Sequence, residues 1–326
     1  MRQLATRLLS GILLTLLVTL TLTHTPSYAQ TYPKKNIVIV VPFGAGGSAD
    51  LMARTFAQYL EAALKQTVIV DNKPGADGIV GTEFVKNAAP DGHTLLLTTN
   101  TTMAANSVFY KKLSYEPFKD FDHIGLFGQA ASVAIVPKDS PLNTIADLVA
   151  ATKATPDKFF YGHYNSASRM TVEMLKTRTG AKLTGIPYKA LGGALQDFYG
   201  AQTQVLFIEY PPAKAQIAGG KIKALGVTGS TRFREWPQIP AINETYPGYE
   251  LGFYLGFAAP AGLPVDVLQT LTNTLETALK DPVFIAKVNN LELDPGKLNR
   301  EQYLKFMRNE KDRWAKIVPE AGIQPE

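Results

Sequence analysis

Residues 38–60, VIVVPFGAGGSADLMARTFAQYL, constrain this chain more than any other stretch. An unbroken apolar run reads as a buried strand, the next residues as a glycine-rich turn, and the rest as a helix. Ser48 is placed to cap that helix, and Asp50 lies in its first turn, where the helix dipole favours a negative side chain. Apolar residues recur at Met52, Phe56, Tyr59, Leu60 and Ala63, one stripe of a helical period. A helix that starts directly after a strand and a glycine turn presents unpaired N–H groups, here from Gly46, Gly47, Ser48 and Ala49. Glycine at 44, 46 and 47 lets an anion approach the backbone with no Cβ in the way. The dipole contributes only about 0.3–1 kcal/mol at an exposed helix end, so one such end does not bind tightly alone. On local sequence, the same residues equally describe a tight strand-to-helix turn.

The first 29 residues read as an export leader. Arg2 and Arg7 precede a Leu-rich stretch at 8–22, and Ser27, Tyr28 and Ala29 form a small-x-small cleavage pattern before Gln30. The apolar stretch is short for a span of roughly 20 residues, and no twin arginine is present, so a cleavable Sec-type signal and a periplasmic location are expected. The chain has no Cys, which removes disulfides, thiolate metal sites, thiol catalysis and a lipoprotein anchor together. Loss of the leader takes away two arginines and no acid, lowering the net charge from +5 to +3. No Lys/Arg block interleaved with aromatics suggests nucleic acid. A mildly positive balance suits a small anionic ligand.

Strand and helix patterns alternate along the chain. Strands are expected at 37–41, 67–70, 94–98, 133–136, 159–161, 205–208, 224–227 and 256–259. Helices are expected at 49–65, 78–88, 145–154, 169–179, 193–199, 264–279, 282–291 and 300–316. This alternation predicts βαβ units and mostly parallel sheets. Two apolar, Pro/Gly-bounded stretches, 127–141 and 249–264, are candidates to carry the chain between lobes. If both do, residues 30–130 with 252–326 form lobe 1 and residues 131–251 form lobe 2, with a cleft where strand C-terminal ends meet.

Several segments resemble one family. Tyr32-Pro33 followed by IVIVVPFGAGGSAD is similar to the opening of the Bug family, the TctC-like extracytoplasmic solute receptors of tripartite tricarboxylate transporters. DNKPGADGIVGTEFVKNAAPDGHTLLL, YKKLSYEPFKDFDHIGL, IPYKALGGALQDFYGAQTQVLF, FAAPAGLP and the terminal WAKIVPEAGIQPE follow in the family's order. The resemblance covers residues 31–326 and implies an α/β, two-lobed periplasmic-binding-protein fold, type II-like, that closes on a carboxylate held largely by backbone groups and ordered water. It further implies no cofactor, a monomer, and membrane subunits of a transporter or a sensor kinase as partners. A di- or tricarboxylate, an amino acid and an aromatic acid all remain open as ligand.

A facing donor set is expected in residues 162–169, GHYNSASR, where Asn165, Ser166 and Ser168 suit either capping or anion binding. The family's loop is longer and ends Ser-His-Leu, whereas this one ends Ser168, Arg169, Met170, with bulkier His163 and Tyr164. Arg169 is either a guanidinium fork for a second carboxylate or a solvated helix residue. Thr98, Asn100, Thr101 and Thr102 follow a strand and reach either a ligand's distal group or their own loop. Gly192 opens a helix after Tyr188 and Lys189. Glu209 stands where the family has Asp, and either accepts from a ligand hydroxyl or ammonium or braces the hinge. Phe43, Tyr164, Tyr188, Tyr210 and Phe253 form either an apolar wall or core packing.

One competing chemistry deserves weight. Gly44-x-Gly46-x-x-Ala49 fits a dinucleotide fingerprint, with Asp71 ending the following strand where a ribose-binding acid sits, which would make this an exported NAD-dependent Rossmann-type enzyme. Export to a compartment poor in NAD, Pro42 at the strand end and the resemblance elsewhere all weigh against it. No G-x-S-x-G occurs, and His93, His123 and His163 lack metal-ligand spacing. A binding protein without catalysis is the expected reading.

Overall fold

The computed structural model describes residues 32–325, so the expected leader lies outside the described residues. From Lys35 onward the chain builds two sheets joined by shared long strands. In the first, β1 (Ile37–Val41) pairs in parallel with β2 (Val68–Asn72) and β3 (Thr94–Thr99). In the second, β5 (Phe160–His163) pairs in parallel with β6 (Thr184–Pro187) and β7 (Val205–Glu209). The link is β4 (Phe121–Pro137), seventeen residues long. Its first half lies antiparallel to β9 (Gly252–Pro260), which pairs with β3, and its second half lies antiparallel to β7 and β8 (Ile222–Val227). A short β10 (Asp294–Pro295) closes the edge beside β4. Each parallel triplet is thus bordered by antiparallel partners, giving a two-lobed α/β fold.

Helices cover these sheets. α1 (Ser48–Leu64) buries Met52, Ala53, Phe56, Ala57 and Leu60; Tyr59 is half-buried and Ala63 exposed, because the stripe follows the sheet for three turns and the last turn overhangs it. Phe56 meets Phe257 and Phe127 with centroids 4.6 and 6.0 Å away, and Phe127 meets Phe284 at 5.4 Å. Such ring pairs each add about 0.5–1.5 kcal/mol beyond the area they bury. Next come α2 (Ile79–Lys86) and α3 (Asn106–Phe109), the latter preceded by a π-helical turn at Thr101–Ala105. The second lobe carries α4 (Ile145–Ala154), α5 (Ser166–Thr179), α6 (Leu191–Tyr199), α7 (Tyr210–Ala218) and α8 (Ile242–Thr245). The chain ends with α9 (Val265–Ala278), α10 (Pro282–Asn289) and α11 (Arg300–Glu320).

Five of these elements lie outside the expected ranges: β6, β10, α3, α7 and α8. β6 is four residues of mostly exposed backbone with no alternation to read. α7 opens with Pro211 and Pro212, which suggest a turn but are tolerated in a helix's first turn, where no N–H partner is lost.

α11 spans both cores on one face. Tyr303 and Met307 pack with Val40, Leu96, Tyr115 and Phe121, while Trp314 and Val318 pack with Phe109, Val136, Val172 and Leu175. The sheet must come close to this helix, and Gly256 on β9 allows it. A Cβ there would stand 2.1 Å from Tyr303 Oη and 2.8 Å from the Gly125 carbonyl oxygen. Gly256→Ala should therefore cost about 1–3 kcal/mol of stability by overpacking. Gly192→Ala, with nothing within 4 Å of the added carbon, should leave stability level or raise it slightly. Urea midpoints compare the two, and a wild-type midpoint for Gly256→Ala would remove the packing explanation.

Candidate functional site

The turn after β1 is fixed by polar contacts before the helix begins. Asn72 Nδ2 donates to the Phe43 carbonyl at 3.0 Å, and Gly46 takes φ +86°, a conformation that disfavours a side chain. The Gly46 N–H donates to Asp50 Oδ2 at 3.0 Å, and Asp50 is clasped by Arg54 through contacts of 3.1 and 2.9 Å. Two expectations change here. Gly46 is not an open donor, because Asp50 already takes its N–H. Ser48 is not the cap, because Gly47 holds the extended cap conformation and Ser48 begins the helix.

What remains open is the helix start itself. Leu51 is the first residue to donate back into the turn, to the Gly47 carbonyl at 3.1 Å. The N–H groups of Ser48, Ala49 and Asp50 therefore have no partner within the helix. Ser48 is 2% exposed, and its Oγ is a buried polar atom without a hydrogen-bond partner. Buried polar atoms are nearly always satisfied, so one left unsatisfied against a cavity asks for a bound molecule.

That cavity measures about 100 Å³ and is lined from both sheets. Phe43, Gly44, Gly47, Ser48 and Ala49 border it from the first turn, and Asn100 and Thr101 from the end of β3. Tyr164, Asn165 and Ser168 border it from the loop after β5, and Gly192 and Glu209 from α6 and β7. Its floor is the crossover, through Ser132, Leu251, Gly252 and Phe253. Gly44 and Ala190 nearly touch across it, since a Cβ on the former would lie 3.4 Å from that of the latter.

Other sequence candidates lie elsewhere. Thr98 is buried, with its hydroxyl 3.2 Å from Tyr303 Oη, so it serves the core. Tyr210 packs against Trp236 and Phe233 and donates to Glu235 at 2.6 Å, also as core. Ser166, Arg169 and Tyr188 line a second cavity of about 420 Å³, which shares Asp77, Tyr164 and Asn165 with the first. There Arg169 stacks over Phe109, 5.7 Å from its centroid, and Tyr188 donates to Asp197 at 2.8 Å. Asp71 pairs with Lys73 at 2.9 Å.

The loop after β5 spends its polar groups on itself. Asn165 Oδ1 accepts from the Ser168 N–H at 2.7 Å, while Ser168 Oγ accepts from the N–H groups of Tyr164 and Asn165. This capping box takes the Ser168 N–H, while those of Ser166 and Ala167 have no partner within α5. Ser166 Oγ reaches across to Asp77 Oδ2 and to Asn106 Oδ1. Asp77 is the residue missed in the sequence. It sits at φ +52° in the Pro-Gly-Ala-Asp-Gly turn after β2, equivalent by position to the glycine turn after β1, and that equivalence was the available signal.

Glu209 accepts from Tyr164 Oη at 2.9 Å. Burial pushes its carboxyl above the usual range, and hydrogen bonds from its own backbone N–H and from Tyr164 only partly offset this. Burial, together with Glu209, likewise raises the Tyr164 phenol. Among the described residues no cluster of three metal-ligating side chains occurs, and no helix is long and apolar enough to cross a membrane.

Comparisons with known proteins converge. The family described as tripartite tricarboxylate transporter family receptor matches residues 52–323. The R. palustris protein Rpa4515, solved with adipate, is 28% identical with a TM-score of 0.88, over 91% of this chain and 100% of its own. The periplasmic binding protein BugD is 32% identical with a TM-score of 0.85, over 90% and 100%. MatC from Rhodopseudomonas palustris, with bound malate, is 26% identical with a TM-score of 0.81, over 88% and 100%.

Asp50 generates a pH prediction. Burial alone raises its carboxyl, but Arg54, the Gly46 N–H and Asn72 outweigh burial and hold it below the ordinary aspartate value. A lowered folded-state pKa contributes stability above the unfolded value, near ~4, and loses it as pH falls through the folded value. Asp50→Asn should cost about 1–3 kcal/mol at neutral pH and flatten the acid side of the stability curve. Denaturant midpoints from pH 7 to 3 test this, and equal slopes for both proteins would exclude Asp50 as a source of acid sensitivity.

Proposed function

Because this chain belongs to the tripartite tricarboxylate transporter receptor family, we propose that it is an exported, periplasmic receptor that captures a small carboxylate by closure of two lobes and catalyses no reaction. Residues 30–130 with 252–326 act as one lobe and 131–251 as the other, turning about β4 and β9. A cleavable leader at 1–29 directs export, and the loaded receptor serves membrane subunits of a tripartite transporter or a sensor.

The observation that carries this reading is the unsatisfied start of α1. Ser48 brings a backbone N–H and an unpartnered hydroxyl to a cavity walled by both lobes, next to the N–H of Ala49. A carboxylate oxygen fits such a donor set, and the helix dipole adds up to ~2 kcal/mol when the end is partly buried. At the α5 start, Asn165 and Ser168 cap one helical N–H, that of Ser168, and the N–H groups of Ser166 and Ala167 have no partner within the helix, with Ala167 bordering the same cavity. Further contacts on the second lobe then come from that helix start, from backbone near Gly192, from side chains, or through bridging water. Carboxylates bound to two structural neighbours support the same ligand class.

Ser48→Pro tests this directly. Gly47 already holds the extended conformation that a following proline requires, and the first helical position favours proline. The variant should fold while losing both the N–H and the hydroxyl. Thermal unfolding against mono-, di- and tricarboxylates, amino acids, aromatic acids and NAD should show stabilisation of the wild type by one class of acid. A ligand at 100 times its Kd adds about 2.7 kcal/mol. Ser48→Pro should weaken that ligand at least ~10-fold, by about 1.4 kcal/mol. A folded variant with unchanged affinity would sink the anion site, and stabilisation by NAD alone would replace the receptor with a dinucleotide-binding protein.

A further inference from the structure

Glu209 stands apart from three other acids that are wholly or partly buried in this protein. Asp50 has Arg54 and the Gly46 N–H; Glu292 accepts the N–H groups of Arg234 and Glu235; Glu173 has Lys176 and the Tyr161 hydroxyl. Glu209 has the Tyr164 hydroxyl at 2.9 Å and, among the described residues, no Lys, Arg or His within ion-pair distance. Lys189, which also borders the cavity, is exposed and makes no ion pair with it. An ionised carboxylate taken out of water needs a cation or several donors, and Glu209 has only its own backbone N–H and one phenol, neither of them charged. Burial accordingly raises this carboxyl. A group placed so against a cavity, with one face given to Tyr164, is short of a positive partner.

We propose that Glu209, held in place by Tyr164, is the cation-recognising group of the cleft, so that the ligand is an aminocarboxylate whose ammonium meets Glu209 while its carboxylate meets the start of α1. The carboxylate end rests on the function proposed above; the ammonium end rests on Glu209 alone. A plain dicarboxylate turns its second anion toward Glu209 and is disfavoured, whereas the amino acid of the same length supplies the missing counter-charge. Glu209 ends β7 opposite Ser132 on β4, so its backbone is fixed by the sheet and the carboxylate is pre-positioned for this role.

Matched pairs read the amino group directly: succinate against aspartate, and glutarate against glutamate, titrated by calorimetry into the mature protein. In at least one pair the amino member should bind 10-fold tighter or better. Glu209→Gln keeps the shape and an oxygen that accepts from Tyr164, but removes the charge. It should bring the ratio within each pair toward one and raise the Tm of the unliganded protein, since an unpaired buried charge is gone. A pure hinge brace predicts the reverse for Glu209→Gln, with a lower Tm and equal loss for both members of a pair. Equal affinities within every pair in the wild type overturn the ammonium assignment. If plain dicarboxylates still bind and Ser48→Pro still weakens them, the receptor reading survives that result. If no acid binds at all, both readings fall.

Discussion

The antiparallel pairing of β4 with β9 runs from Phe121 opposite Pro260 to Ala131 opposite Gly252. β3 attaches to β9 on one side, and β7 and β8 attach to β4 further along, so neither sheet exists without this pair. Register shifts between His123 and Gly125 and between Leu126 and Gly128 add local twist, as bulges do, and curl the shared strands from one sheet into the next. The cavity sits where the pair ends. Asn100 Nδ2 reaches the Gly252 carbonyl at 3.4 Å, and the Ser132 N–H donates to Thr228 Oγ1 at 2.9 Å, so residues on its floor are tied to both lobes.

The two helix starts that face this cavity are treated differently by the chain. α5 has one of its first N–H groups, that of Ser168, capped by the Asn165 side chain, while α1 is capped by a glycine with no side-chain bond, and Ser48 there keeps an unpartnered hydroxyl. Asp50 accounts for part of the difference. By taking the Gly46 N–H and holding Arg54, it stiffens the turn without filling the space in front of Ser48. A carboxylate within the helix's own first turn thus braces the turn and leaves the helix mouth open.

Much of the architecture was legible because its signals are local. The β1 run Ile37–Val41 and helix α4, Ile145–Ala154, follow directly from apolar patterning and caps, and the glycine turn announces the α1 junction. β6 was not legible because its backbone is exposed and carries no pattern, and α7 was hidden by prolines that suggest a turn. At the site, sequence could place Ser48, Asn100, Asn165 and Glu209 near strand ends, but not say how their polar atoms are spent. That Thr98 turns to Tyr303 depends on a partner 205 positions away, whereas the Asn165 cap is local and was one of the two readings its sequence allowed. The Tyr164–Glu209 bond joins residues 45 positions apart and left no trace in local pattern.

α11 places Tyr303 and Met307 in one core and Trp314 and Val318 in another. One helix thus closes a side of each core, and the two do not pack independently: a change that tilts α11 at Trp314 is felt at Tyr303, so the rod couples the cores mechanically as well as covering them.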